Sequence, residues 1–184
     1  LNEAADYIKA EFQKYGYKTN EQIFKIDGTD MEFKNIEAFR EDNSDPEILV
    51  TSHYDTVRNT PGANDNGSAI AAMLETARVL SSEDHIRNVR FVSFTLEELS
   101  PTLVQLYRDK GLELGLIDED YRYTSYHSHK MIKTIKESKA DILISHFGLN
   151  EGILNSGISI VADIGLKDLI GKYKLVLLGH YHKP

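Results

Sequence analysis

Cysteine is absent from the 184 residues, which excludes disulfides, thiolate catalysis and zinc sites built on sulfur; any metal must be held by His, Asp and Glu. No apolar run approaches the roughly 20 residues of a membrane span, and no signal peptide is visible. Lys and Arg form no cluster and the net charge is -8. Neither nucleic acid nor a membrane is therefore an expected partner, because both nucleic acid and anionic membrane surfaces reward concentrated positive charge. The oligomeric state stays open. A chain without cysteine fits a reducing compartment, so a cytoplasmic setting is expected. The sequence opens on Leu1 rather than Met and is expected to be a fragment.

The residues present are those of an ordinary globular protein, 41% hydrophobic and 27% charged, enough for one sizeable core or two small ones. "LNEAADYIKAEFQKYG" sets Ala5, Ile8, Ala10 or Phe12, and Tyr15 at helical spacing, with Gly16 as a C-terminal stop. "YKTNEQIFKI" and "MEFKNIEAF" alternate polar and apolar residues about Asp27-Gly28, which predicts a hairpin. "PEILVTSHY" and "VRFVSFTLEE" are short apolar runs suited to buried central strands. "NGSAIAAMLETARVLSS" between them predicts a helix begun by a polar cap region. Strand, helix, strand implies an α/β fold: a three-layer sandwich around a mixed, mostly parallel sheet.

Functional groups in such sheets gather beyond the carboxyl ends of the strands, which is where "TSHYDTVRNTPGANDNGSA" falls. His53 and Asp55, two apart, can share a face, the carboxylate accepting one ring proton while the other nitrogen binds a metal. Asp65 follows between Gly62 and Gly67, which permit the tight backbone that turns a carboxylate inward. Its two oxygens allow it to bridge two metals. The next strand ends in Glu97-Glu98, one suited to a metal and the other to proton transfer. Each residue alone also has a plain structural role, as a turn, a helix cap or a solvated strand end, but such roles leave their order unexplained.

That order, "HYD", then "PGANDNGSAIAAMLETARVL", then "VRFVSFTLEE", resembles the co-catalytic zinc aminopeptidases of metallopeptidase family 28 over roughly residues 2 to 100. The resemblance implies that His53 binds one zinc, Asp65 bridges two, Glu98 binds the other, Glu97 is the general base and Asp55 orients His53. It also requires a further Asp beyond the Glu pair, commonly in a strand reading like "NLDMVG", and a last His. Neither stands in its expected setting. Residues 99–138 read instead as two helices around a charged loop, in which Asp118, Asp120, His127 or His129 are candidate ligands.

Beyond residue 138 the pattern changes. "ADILISHFGLN" and "YKLVLLGHYHKP" are apolar strands ending in histidine, with a short helix near "LKDLIG" between them. His146 in "ISHF" and the pair His180 and His182 in "GHYH" resemble the C-terminal half of calcineurin-like metallophosphoesterases, which implies metal binding by these three, manganese or iron included. That family's earlier Asp-x-His, Gly-Asp and Gly-Asn-His elements are missing. The expected organisation is an incomplete aminopeptidase-like segment, 1–138, followed by an incomplete phosphoesterase-like segment, 139–184. The function that the resemblance implies is a metal-dependent hydrolase, an aminopeptidase-type exopeptidase using zinc on a peptide or small-molecule substrate. The alternatives are a metallophosphoesterase or a catalytically incomplete metal-binding α/β protein.

Overall fold

The computed structural model describes residues 2–25, 32–40, 47–57, 59–83, 88–96, 98, 133–146 and 164–179. The turn expected at Asp27-Gly28, the expected general base Glu97, and most of the expected helix pair lie outside these residues. So do the candidate ligands Asp118, Asp120, His127, His129, His180 and His182.

Helix α1 (Asn2–Lys14) buries Ala5, Ile8 and Phe12, a stripe at the helical repeat. It ends as expected at Gly16, whose φ of 86° lies in the left-handed region, and the Tyr17 N–H donates back to Phe12 O at 3.1 Å. The alternating segments form strands β1 (Lys18–Lys25) and β2 (Glu32–Phe39), paired antiparallel from Lys18 with Phe39 to Lys25 with Glu32. Strands β3 (Ile48–His53) and β4 (Val89–Phe94) run parallel, joined through helix α2 (Ala69–Leu80). Strand β5 (Ile142–His146) pairs parallel with β3, and β6 (Leu175–Gly179) parallel with β5. A short helix, α3 (Leu166–Leu169), precedes β6.

The strand order in this six-stranded sheet is β1-β2-β4-β3-β5-β6. Strands on both sides of residue 138 therefore belong to one hydrogen-bonded sheet.

The layers follow from the alternation within each strand. On one face α1 and α2 place Ile8, Phe12, Ile70 and Met73 against Ile36, Val89 and Phe91. On the other, Leu49, Val92, Phe94 and Leu143 pack with Ile135, Leu169 and Tyr173, from helical residues 133–137 and the region of α3. Covered on both faces, the central strands have no polar side, which is why they read as continuous apolar runs. Among the described residues no helix is long and apolar enough to cross a membrane.

One feature of the expected helix differs. Helix α2 proper starts at Ala69, after a wide turn over Ala63–Ser68 in which Asp65 and Asn66 have non-helical backbone angles. The Ser68 hydroxyl does not cap the helix but donates to Asn64 O at 2.6 Å. The turn keeps the acidic side chain out of the helix and beside the sheet.

The topology marks where a site is expected. From β3 the chain crosses to β4 on one side, and it later returns as β5 on the other side of β3. The strand order reverses there, leaving a crevice beyond the carboxyl ends of β3 and β5.

Candidate metal centre

His53 is the last residue of β3 and His146 the last of β5. Their strands pair in register from Ile48 with Ile142 to Val50 with Ile144, so both run out at the same edge of the sheet. The buried hydroxyls of Thr51 and Ser145 touch between the two strands just below. Asp65 enters from the turn before α2. Its Oδ1 lies 3.2 Å from His53 Nε2 and 3.6 Å from His146 Nε2. The two imidazoles meet edge to face, with ring centroids 5.2 Å apart. All three atoms are buried, and all lie within 4.8 Å of one another. Two imidazole nitrogens and a carboxylate oxygen, gathered out of water, are a donor set suited to zinc.

The turn that delivers Asp65 depends on two glycines. Gly62 has φ 63°, and a β-carbon there would come within 2.7 Å of the Thr56 side chain. Gly67 donates its N–H to Gly62 O at 2.8 Å, and a β-carbon on Gly67 would meet that oxygen at 2.9 Å. The peptide between Asp65 and Asn66 is cis. Asn66 is buried and its amide donates to Ser52 Oγ at 2.9 Å, tying the turn to β3 one residue before His53. Gly62→Ala is therefore expected to destabilise the fold by about 1–2 kcal/mol for the left-handed backbone alone, with the clash against Thr56 adding to it. Zinc affinity should fall with it. Urea unfolding and a zinc titration of the variant check this, and wild-type values in both would mean that the turn has no need of glycine here.

Asp55 differs in detail from its expected role. His53 Nδ1 is 3.2 Å from the backbone carbonyl of Asp55 and 3.5 Å from its carboxylate Oδ1, so the carbonyl is the nearer acceptor. The other carboxylate oxygen, Oδ2, accepts the Glu98 N–H at 2.6 Å. Asp55 thus tethers the chain leaving β4 to the end of β3. That chain is turned by Leu96, a buried residue with φ 66°, which breaks the strict alternation of β4. Beside it, the Tyr54 hydroxyl donates to Lys34 O at 2.6 Å, and burial pushes this phenol up to about 12.

Glu98 is half-buried. Burial, reinforced by the negative charge of Asp65, pushes its carboxyl above the ordinary glutamate range, against the opposing pull of His53. The structure thus brings together His53, Asp55, Asp65, Glu98 and His146. Two contributors were not singled out from sequence. Asn66 reads as an ordinary turn residue in "NDNGS", and Ser52 has no signal beyond its place before the histidine.

The sequence profile of Peptidase family M28 matches residues 35–142, more than half of the chain. Aminopeptidase YwaD of Bacillus subtilis (strain 168) is 54% identical over 52 residues, 28% of this chain and 11% of that protein. The chain spans less than a third of the length of the curated relatives it matches first. Among solved structures, a Zn-dependent exopeptidase from Parabacteroides distasonis ATCC 8503 aligns with a TM-score of 0.63 at 17% identity, covering 100% of this chain and 76% of that one. A glutaminyl cyclase from Tannerella forsythia aligns with a TM-score of 0.62 at 16% identity, over 100% of this chain and 77% of that one. At these identities the two structures establish a shared fold.

Proposed function

The chain belongs to peptidase family M28, and from that premise we propose that it forms the metal-binding core of a zinc-dependent exopeptidase of the aminopeptidase type. The observation that carries this reading is the convergence of buried donor atoms from His53, Asp65 and His146 beyond the strand ends. In this reading His53 and Asp65 bind one ion, Glu98 is a ligand of the second and Glu97 is the general base. A bound zinc ion would polarise a peptide carbonyl and acidify water toward neutral pH.

The chain's own residues do the rest. The Asp55 backbone carbonyl faces His53 Nδ1 and so selects the tautomer with its proton there, leaving Nε2 to turn its lone pair, as a metal ligand, to the side where Asp65 stands. The Asp55 carboxylate holds the Glu98 backbone. Glu97 takes the proton of the attacking water and returns it to the leaving amine.

A second reading follows from the C-terminal strands. His146 pairs with Gly179, the last residue of β6, and the phosphoesterase-like set joins it with His180 and His182, which lie outside the described residues. In that reading the metals would be manganese or iron and the substrate a phosphate ester.

Paired assays on an aminoacyl anilide and an aryl phosphate diester, after loading with zinc or manganese, distinguish the readings. Zinc-dependent anilide hydrolysis that is lost in the His53→Ala, Asp65→Ala double variant is expected. Phosphodiester turnover that survives in that variant but disappears in His182→Ala would favour the phosphoesterase. Zinc binding with neither activity would leave a metal-binding α/β protein without turnover.

A further inference from the structure

We propose that His146 binds the same ion as His53 and Asp65, so that this chain places two imidazoles on one metal. The inference rests on the exopeptidase reading of His53 and Asp65. It adds a ligand that the family resemblance did not supply: that resemblance asks for a further aspartate beyond the Glu pair, and β5 ends in His146.

The distances favour a shared ion. Donors around a tetrahedral zinc with bonds of about 2.0–2.1 Å stand about 3.3–3.4 Å apart; the two histidine nitrogens lie 3.2 and 3.6 Å from Asp65 Oδ1. A carboxylate bridging two ions turns one oxygen to each. Here both imidazoles face the same oxygen, which sets the two toward the same ion.

The placement of His146 is built into the sheet. Parallel pairing with β3 and the contact between Thr51 and Ser145 set its height beside His53. On its other side lies Gly179, where a β-carbon would stand 3.5 Å from His146 Nδ1. That is ordinary contact, which leaves the ring its room.

The substitution of imidazole for carboxylate has a chemical consequence. It removes one negative charge from the centre and adds a borderline nitrogen donor, which shifts preference toward zinc and away from manganese or magnesium, whose affinity leans on oxygen donors.

X-ray absorption of the zinc-loaded chain counts imidazoles per zinc without any variant. With no more than one equivalent of zinc added, two are expected; one imidazole per zinc overturns the proposal. Competition with a chelator then compares variants whose metal-free folding is checked by urea unfolding. His146→Ala should weaken zinc binding at least about 100-fold, the upper end of what losing a mere supporting partner costs. His146→Asp should keep zinc but narrow the zinc-over-manganese preference. Wild-type zinc affinity in His146→Ala, or an unchanged metal preference in His146→Asp, overturns the proposal. If His146→Ala does not fold, the imidazole count on the wild type decides. Zinc that depends on His53 and Asp65 yet carries one imidazole would leave the exopeptidase reading standing and remove this one. A chain that binds no zinc removes both.

Discussion

Replacing Glu97 by Gln should lower aminoacyl-anilide turnover about 100- to 10,000-fold, the usual contribution of a positioned general base, while zinc content and the unfolding midpoint stay at wild-type values. The amide keeps the shape of the side chain but cannot accept a proton. Its neighbour should fail differently. Glu98→Gln replaces an anionic oxygen donor with a neutral amide, a poor ligand for a borderline cation, so zinc affinity should drop and turnover should recover in part with added zinc. Asp55 holds the Glu98 backbone through its N–H, an anchor that neither side-chain change removes. Steady-state kinetics and zinc titration on both variants give the comparison. Equal and mild effects would mean that the pair is only a charged strand end, and the exopeptidase reading would give way to a non-catalytic one.

Phe91→Ala should cost about 3–5 kcal/mol of stability, the range for removing a fully buried aromatic ring. Phe91 lies at the middle of β4 with no exposure, its ring 5.5 Å from that of Phe12 and 5.6 Å from that of Tyr17. The cavity would open between the sheet and α1. A domain of this kind is stable by only about 5–15 kcal/mol, so this one change removes a large fraction of the total. The site should suffer too, because β4 carries the chain to Glu98 and pairs along the whole of β3. Leu177→Ala is the control. Leu177 is 50% exposed on β6, and surface changes of this sort stay within about 0.5 kcal/mol. Urea unfolding of both variants provides the test, and a Phe91→Ala cost below about 1 kcal/mol would contradict the packing of α1 on the sheet.

Much of this protein is legible one segment at a time. The helical repeat of Ala5, Ile8 and Phe12 specifies α1 and its buried face, and the alternation on both sides of Asp27-Gly28 specifies the antiparallel pair β1 and β2. The apolar runs at 48–53 and 89–94 announce strands covered on both faces. Gly62 and Gly67 announce a backbone that side chains would obstruct. Each is a local signal, because periodicity and backbone freedom depend on residues a few positions apart.

What the tertiary structure alone decided is which strand ends meet. Thr51 and Ser145 touch across 94 residues of sequence, because β5 pairs with β3 rather than with β4, which precedes it in the strand order of the chain. That pairing leaves no local signature. Read along the chain, His146 groups with His180 and His182; read across the sheet, it stands beside His53 and Asp65. The carboxylate of Asp55 is a second instance: it lies two residues from His53, yet one of its oxygens goes to the Glu98 amide across the β3–β4 edge. Composition and spacing determined that any metal would be held by His, Asp and Glu, and that His53 and Asp65 would stand near a strand end. Which other side chains join them was decided by sheet order and register, since hydrogen bonding between strands distant in sequence is what sets their separation in space.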